Sequence, residues 1–221
     1  IELRLLAHIS GDENMKEAFL SGEDFHTITA SKVFGVPVEQ VTPTLRSRAK
    51  AVNFGIVYGI SAFSLAQDIG VYTNEAKAYM DAYLERYHGV RDYMKNIVES
   101  AREKGYVSTI YGRRRYLPEL KSSNFNMRSF GERVALNMPV QGTAADIIKL
   151  AMVNVHRRLK ETGLKARLIL QVHDELIVEC PGEEAEQVRD ILTQEMENAV
   201  HLSVPLVAEA GAGHSWAQAK G

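Results

Sequence analysis

The segment 46–59 constrains local structure more than any other part of the chain, because its distinctive side chains recur every four positions. These side chains are two cations followed by two aromatic rings: Arg46, Lys50, Phe54 and Tyr58. A four-residue spacing places them on one face of an α-helix, each about one turn above the last. Such a face suits a ligand with a polyanionic tail and a flat ring system, which describes a nucleoside triphosphate. A partly exposed amphipathic helix with a basic edge is the alternative, and the pattern alone leaves both open.

Local chemistry favours a helix that begins just before this segment. Thr42 is a favourable N-cap, and Pro43 is favourable in the first turn. No acid lies between Thr42 and Tyr58, so nothing within the segment neutralises the two cations of this row. We predict that this helix ends near Gly59.

The charge of the chain is unevenly distributed. Its 221 residues are 45% hydrophobic with a net charge of -2, which fits a globular protein and argues against a general DNA-coating protein. Residues 102–133 nevertheless carry eight bases and three acids, whereas ten acids and two bases follow from Asp174 onward. This asymmetry fits a protein that holds phosphates in one region and cations in another, although solvated helix faces would give the same pattern.

Other features of the sequence indicate the class of protein and its compartment. It contains no apolar run of membrane-spanning length and no signal peptide. The one cysteine, Cys180, excludes an intrachain disulfide and fits a reducing compartment, and we expect it to be a packing residue. The chain opens at Ile1 without an initiator Met, so we expect a piece of a longer polypeptide.

Hydrophobic periodicity predicts a mostly helical chain up to about residue 160. Helices are expected over 1–10, 25–34, 76–87, 90–101 and 130–136, with a further helix after Pro139 to about 159. Gly89 and Gly105 are expected to follow helix C-termini. Residues 105–130 are expected to be irregular.

The last sixty residues change character. Runs rich in β-forming residues at 168–172 and 176–180 predict a hairpin with residues 173–175 at its tip. A helix over 183–199 and a strand over 204–209 complete the predicted pattern. We therefore predict an α+β fold.

Two adjacent carboxylates at the predicted hairpin tip suit a hard cation such as Mg²⁺. Neighbouring strand residues point to opposite faces, so we do not expect Asp174 and Glu175 to bind one ion together. If Asp174 binds metal, a second carboxylate must come from elsewhere, as two-metal phosphoryl transfer requires. A solvent-exposed polar turn is the alternative, although a plain turn more often uses Gly or Asn.

Several ordered blocks resemble the family A DNA polymerases. The 46–59 segment, with its Arg-x3-Lys-x3-Phe-Gly-x2-Tyr-Gly pattern, resembles motif B, and Gln171-Val-His-Asp-Glu175 resembles motif C. Further matching blocks are Gly112–Pro118, Arg133–Asp146 and, for the second half of motif A, Ile1–Arg4. The blocks cover essentially the whole chain and match the C-terminal fingers and palm portion of the bacterial members.

The resemblance implies two subdomains and a role for each matched position. Residues 11–130 would form a helical fingers subdomain, and residues 1–10 and 131–221 would form part of a palm subdomain with a small antiparallel sheet and packed helices. The implied nucleotide-binding residues are Arg46, Lys50 and His26 at the phosphates, Phe54 against sugar and base, Tyr58 near the nascent pair, and Glu2 against a ribose 2′-hydroxyl. The implied catalytic residues are Asp174, Glu175 in a supporting role and Lys50, with Asp174 also a metal ligand. The implied DNA-binding residues are Arg133, Asn137 and Gln141 along the minor groove, and His173 at the primer terminus.

The resemblance also implies an activity: transfer of a deoxynucleotidyl group from a dNTP to a primer 3′-hydroxyl on a primer–template duplex. Two Mg²⁺ ions would serve, and the second carboxylate belongs to a D-Y-S-Q tetrad expected directly before Ile1. We therefore expect the fragment to be inactive alone and to act as a monomer within a longer cytoplasmic polypeptide at the bacterial nucleoid. The alternatives are a non-catalytic DNA- or nucleotide-binding module and a family A RNA polymerase, although Glu2 favours deoxynucleotides.

Overall fold

The computed structural model describes residues 1–220, so that position 221, the end of the predicted palm range, lies outside the described residues. The chain divides into two compact units, one of residues 2–143 and one of residue 1 with the residues from 144 onward. Helices dominate the first unit, and the second combines helices with an antiparallel hairpin. The architecture is α+β, as the sequence predicts.

The first unit is built from helices and one short hairpin. Its elements are α1 (Glu2–Ser10), α2 (Glu13–Leu20), α3 (Phe25–Phe34), α4 (Pro43–Val57), α5 (Ala62–Ile69), α6 (Thr73–Arg86), α7 (His88–Lys104), β1 (Tyr106–Ser108), β2 (Arg114–Tyr116) and the first part of α8 (Phe125–Glu161). Short 3-10 turns at Val38–Gln40 and Pro118–Lys121 connect some of these elements. The sequence analysis did not predict α2, α5 or the β1–β2 hairpin, which lies in the region expected to be irregular.

Side-chain caps fix the beginnings of α3 and α4. The Thr42 hydroxyl accepts the backbone N–H of Leu45 at 3.3 Å, and Pro43 occupies the first turn of α4, as predicted. Asp24 caps α3 in the same way, because its Oδ1 accepts the backbone N–H of Thr27 at 2.8 Å. The two helices that carry the candidate phosphate ligands are therefore fixed at their N-termini by local chemistry.

The prediction that Gly89 follows a helix C-terminus is wrong. Helix α6 ends at Arg86, and Gly89 lies in the first turn of α7. Its N–H donates to Oδ2 of the buried Asp12 at 2.7 Å, and a Cβ atom at this position would lie 2.8 Å from the Asp12 Cα. Gly89 is thus required for close approach between two backbones, whereas Gly105 follows α7 in the left-handed region, with a φ of 78°, as predicted.

Helix α8 runs without interruption through Pro139, whereas the sequence analysis expected a break there. Ala135 and Val140 on either side of the proline are buried, so tertiary packing holds the helix together where local propensity disfavours it. The Thr143 hydroxyl also donates to the Pro139 carbonyl at 2.5 Å. Among residues 1–220 no helix, α8 included, is long and apolar enough to span a membrane.

The second unit contains the hairpin that carries motif C. Its elements are the rest of α8, β3 (Arg167–Val172), β4 (Glu175–Glu179), a 3-10 turn (Gly182–Glu184), α9 (Ala185–Glu197) and α10 (Trp216–Lys220). The strands pair antiparallel, as predicted. Val155 and Leu159 of α8 pack against Val188 and Ile191 of α9, and the half-buried Cys180 lies against this cluster.

The strand predicted over residues 204–209 does not form; this segment has no regular secondary structure. Val204 is buried and Val207 is exposed. However, the backbone N–H of Ala208 donates to the Glu197 carboxylate at 3.0 Å. The segment is therefore held by a side chain where a strand would need a neighbouring backbone.

Candidate functional site

Helix α4 presents the predicted row of side chains. Arg46 and Lys50 are exposed, and Phe54 is half-buried one turn further on. Tyr58 follows the last turn as the C-cap residue, and its ring stacks on that of Phe54 with centroids 6.2 Å apart. The row of two cations and two stacked rings thus exists in the structure, while the roles assigned to it stay predictions.

Arg46 is paired with an acid that the sequence analysis did not consider. Its Nε donates to Oδ1 of Asp24 at 2.9 Å and its Nη2 donates to Oδ2 at 2.8 Å, which is a bidentate pair. The hydrogen bond from Arg46 holds the pKa of Asp24 well below its usual range, and the Thr27 hydroxyl and N–H act in the same direction. Although no acid lies between Thr42 and Tyr58, Arg46 is paired, because Asp24 reaches it from the N-terminus of α3.

His26 lies beside the same cations. Burial lowers the pKa of His26, and the nearby charges of Arg46 and Lys50 act in the same direction, while the charge of Asp24 raises it. The His26 ring centroid is 5.9 Å from that of Phe54. Helices α3 and α4 thus bring together three of the residues that the resemblance places at the triphosphate, together with the ring expected against the base.

A buried asparagine connects His26 to α4. The Nδ2 of Asn53 lies 2.9 Å from Nδ1 of His26, and the Thr29 hydroxyl donates to Oδ1 of Asn53 at 3.3 Å. With Asn53 as the donor, Nδ1 of His26 is the acceptor and Nε2 carries the proton. Asn53 is fully buried, so it holds the His26 ring in place. The sequence analysis did not single out Asn53.

Tyr58 and Glu2 are joined although 56 positions separate them. The Tyr58 hydroxyl donates to Oε2 of Glu2 at 2.5 Å. The resemblance assigns both residues to the incoming nucleotide, and the structure places them in contact. A cavity of about 700 Å³ lies next to Tyr58 and is also lined by Phe54, Gly59 and Arg133.

The three predicted DNA-binding residues of α8 lie four apart on one uninterrupted helix. Arg133 and Gln141 are exposed, and Asn137 is half-buried. The Asn137 Oδ1 atom is buried without a hydrogen-bond partner in the part of the chain that the structure describes. A buried amide oxygen that lacks a partner is uncommon in a purely structural asparagine.

The hairpin tip of the second unit is shorter than predicted. Val172 pairs with Glu175, so that only His173 and Asp174 form the turn, and Glu175 is the first residue of β4. His173 has a φ of 53°, an unusual conformation for a residue other than glycine, and its carbonyl accepts the Gln171 side-chain amide at 2.7 Å. Backbone strain of this kind is concentrated at functional positions.

The two neighbouring carboxylates have different partners. Asp174 is 58% exposed, and its Oδ2 lies 4.0 Å from the backbone nitrogen of Ile1. Glu175 instead accepts a hydrogen bond from the Lys220 ammonium at 2.6 Å, which lowers the pKa of Glu175. The two carboxylates thus have separate contacts, and the expectation that they do not bind one ion together stays a prediction.

Asp174 is the one predicted metal ligand among the described residues. Within residues 1–220 no cluster of three or more His, Cys, Asp or Glu side chains is arranged to hold a metal ion. The exposed carboxylate of Asp174 fits one oxygen ligand of Mg²⁺, since this ion commonly takes one or two carboxylates with water and substrate phosphates.

Comparison with known proteins identifies the family. The family model described as DNA polymerase family A matches residues 1–218. The chain belongs to DNA polymerase family A. It is 56% identical over 220 residues to DNA polymerase I of Bacillus subtilis, with 100% of this chain and 25% of that protein covered. It is 53% identical to DNA polymerase I of Caldicellulosiruptor bescii over 220 residues, which cover 100% of this chain and 26% of that protein.

One solved structure has the same fold as this chain. It is described as the POL domain of Pol1 from M. smegmatis in complex with DNA primer-template and dNTP. The TM-score is 0.95 at 50% identity, with 100% of this chain and 39% of that chain covered. The chain spans about a quarter of the length of the two DNA polymerase I relatives named above. The resemblance to family A that the motifs indicated is confirmed.

Sequence reasoning missed three partners of predicted site residues: Asp24, Asn53 and Lys220. Each lies outside the four-residue spacing of the motifs and contacts a predicted site residue only through tertiary packing. Asp24 gave one usable signal, because an aspartate before a predicted helix is a favourable N-cap. That signal says nothing about its pairing with Arg46.

Proposed function

We propose that this chain supplies the nucleotide-binding helix and part of the catalytic centre for template-directed DNA synthesis. The reaction is the transfer of a deoxynucleotidyl group from a dNTP to a primer 3′-hydroxyl. The observation that carries the proposal is the cluster of Arg46, Lys50 and His26 beside the Phe54 ring. Cationic and N–H donors next to an aromatic face match the two chemical parts of a nucleoside triphosphate.

The residues of this cluster bind different parts of the nucleotide. Arg46 presents a planar fork that binds phosphate oxygens in pairs, and Lys50 presents a compact charge. Lys50 acts most strongly where negative charge develops on the phosphates in the transition state. His26, with its proton on Nε2, donates a hydrogen bond, and Phe54 stacks on sugar and base.

Tyr58 and Glu2 act on the sugar and the nascent pair. The hydroxyl of Tyr58 holds the Glu2 carboxylate in one position by the 2.5 Å hydrogen bond. A carboxylate fixed there excludes a ribose 2′-hydroxyl, so that the site selects deoxynucleotides. This selectivity depends on geometry as well as on hydrogen bonding.

The face of α8 follows the duplex that has just been made. Arg133, Asn137 and Gln141 donate to purine N3 and pyrimidine O2, acceptors that every base pair presents in the minor groove. The helix therefore checks the shape of a pair without reading its sequence. His173, held in the hairpin turn, lies at the primer terminus.

Asp174 would hold Mg²⁺ at the hairpin tip, and this ion would neutralise charge on the reacting phosphates. Glu175 has a supporting role through its contact with Lys220. A second ion requires the aspartate expected before Ile1, and the 4.0 Å distance from the Ile1 nitrogen to Asp174 supports a carboxylate close by in the preceding segment. We infer that the 221 residues alone do not extend a primer.

The proposal includes the setting of the chain. Its partners are a primer–template duplex and a dNTP, and it acts as a monomer within a longer cytoplasmic polypeptide at the nucleoid. Residues 11–130 serve as fingers, and residues 1–10 and 131–221 serve as part of the palm. The complex named for the M. smegmatis relative supports the choice of DNA and dNTP.

Primer extension tests the proposal directly. The chain replaces its counterpart in Bacillus subtilis DNA polymerase I, and extension of a labelled primer with four dNTPs and Mg²⁺ is measured for the chimaera, its Asp174→Asn variant and the 221-residue chain alone. We expect synthesis by the chimaera only. Duplex and dNTP binding by a chimaera that never extends the primer would favour the non-catalytic module, and synthesis by the isolated chain would exclude the two-carboxylate requirement.

A further inference from the structure

Asp24 has no role in the reaction proposed above, yet it occupies the guanidinium of Arg46. Two hydrogen bonds of 2.9 and 2.8 Å join them, one from Nε and one from Nη2. The same carboxylate accepts the Thr27 N–H at 2.8 Å and the Thr27 hydroxyl at 2.7 Å. One acid thus caps α3 and pairs with a predicted phosphate ligand on α4.

The edge of Arg46 that Asp24 occupies is an edge that phosphate would also use. Carboxylate and phosphate both bind the guanidinium fork through two parallel hydrogen bonds, so the two anions compete for these donors. The pair is accessible from solvent, because the side chains of Arg46 and Asp24 are 46% and 43% exposed. A ligand can therefore reach the fork without unfolding the helix pair.

Asp24 also places a negative charge within the cationic cluster. The charges of Arg46 and Lys50 lower the pKa of His26, whereas the charge of Asp24 raises it, so all three act on the same ring. A polyanion that approaches this cluster is attracted by the cations and repelled by Asp24. The repulsion acts at short range and is only partly screened by salt.

We propose that Asp24 is an internal competitor for Arg46 that sets the affinity of the site for nucleoside triphosphates. A phosphate group that takes the Nε and Nη2 donors displaces the carboxylate, and Arg46 returns to Asp24 when the phosphate leaves. The exchange needs little rearrangement, because Asp24 keeps its two hydrogen bonds to Thr27 when Arg46 is released. Asp24 acts through Arg46 and needs no contact with the nucleotide. This inference rests on the proposed function, since it requires Arg46 to bind phosphate.

Asp24→Asn separates the charge of Asp24 from its capping role, because asparagine is an equally good N-cap. The variant is made in the chimaera with Bacillus subtilis DNA polymerase I, together with Arg46→Ala and the double variant. Asp81→Asn is the matched control, since it removes the acid of another exposed ion pair, with Lys77 on α6. Asp24→Ser keeps a capping oxygen and serves as a second variant that lacks the charge.

The readout is the Kd of dATP for the chimaera bound to a primer–template with a dideoxy-terminated primer, and the KM and kcat of single-nucleotide incorporation. We expect Asp24→Asn to bind dATP about three- to tenfold more tightly, which is the range for loss of an exposed ion pair with added relief of repulsion. KM falls while kcat changes little, and the effect shrinks at high salt. Asp81→Asn is unchanged, and the effect of Asp24→Asn is much smaller once Arg46 is alanine, because only the relief of repulsion then remains.

Other outcomes overturn the inference in distinguishable ways. If Arg46→Ala weakens dATP binding but Asp24→Asn leaves it unchanged, Asp24 does not compete and the phosphate role of Arg46 stands. If Asp24→Asn weakens binding, Asp24 instead positions the guanidinium for phosphate. If Arg46→Ala itself binds dATP like the unmodified chimaera, the phosphate role of Arg46 fails and the competition fails with it.

Discussion

The hydroxyl of Tyr58, at the end of α4, donates to the Glu2 carboxylate at the start of α1 over 2.5 Å. Residues from two separate motifs therefore form one polar contact beside the cavity next to Phe54. The aromatic part of Tyr58 stacks on Phe54 independently of this hydrogen bond. The hydroxyl and the ring can accordingly be tested apart.

Tyr58→Phe keeps the stacked ring and removes the donor to Glu2. We expect the freed carboxylate to exclude a ribose less well, so that the ratio of kcat/KM for dATP over ATP falls about two- to tenfold, as for loss of one net hydrogen bond. The ratio is measured in the Bacillus subtilis chimaera. Tyr72→Phe, at an 82% exposed tyrosine, serves as control and leaves the ratio unchanged. An unaltered ratio in Tyr58→Phe would show that Glu2 excludes a ribose without the hydrogen bond from Tyr58.

Lys50→Ala tests the electrostatic role of the cationic row. Its charge meets the phosphates and the negative charge that develops on them, so we expect kcat for dNTP incorporation to fall about 10²- to 10³-fold. Affinity for the primer–template changes less than twofold, because this charge is assigned to the nucleotide. Lys95→Ala removes another exposed lysine, on α7, as the control. Normal incorporation by Lys50→Ala would remove Lys50 from the site.

The residues of α4 could be predicted because the information is local. Thr42, Pro43 and the four-residue spacing each act within one or two turns, and the helix forms as expected. The pairing of Arg46 with Asp24 depends on how α3 packs against α4, which no periodicity records. The cations of a motif can be found in a sequence, whereas their counter-ions depend on tertiary structure.

The wrong predictions have a common physical cause. Pro139 disfavours a helix locally, yet the buried Ala135 and Val140 hold α8 together across it. Residues 204–209 are mostly apolar and were predicted as a strand, yet the N–H of Ala208 is satisfied by Glu197. In both cases a tertiary contact, either core packing or a hydrogen bond to a distant side chain, overrides the secondary structure that the local sequence favours.

Gly89 offers a stability test of one such tertiary contact. In Gly89→Ala the new Cβ would lie 2.8 Å from the Asp12 Cα, so backbone has to move. We expect a loss of about 1–3 kcal/mol in the free energy of unfolding, as for other overpacked sites. Urea denaturation of the 221-residue chain measures the loss. Gly182→Ala is the matched control, because nothing lies within 4 Å of its added Cβ, and equal stabilities of the two variants would contradict the close approach.

The lowered pKa of His26 predicts how stability depends on pH. Burial and the charges of Arg46 and Lys50 make the folded chain resist protonation of this ring, despite the opposing charge of Asp24. An unfolded histidine takes up a proton near a pKa of about 6.5. Between the lower folded pKa and that value the unfolded state binds more protons, so the contribution of His26 to stability is full above about pH 6.5 and declines as the pH falls.

His26→Gln removes this titration and keeps a side chain that can hydrogen-bond with Asn53. We expect the free energy of unfolding of the unmodified chain, measured by urea denaturation from pH 8 to pH 5, to fall more steeply than that of the variant as acid is added. The difference between the two should grow below about pH 6.5. His201→Gln, at an exposed histidine, should follow the unmodified chain throughout. Parallel curves for His26→Gln and the unmodified chain would show that the half-buried ring protonates as readily in the folded state as in the unfolded state.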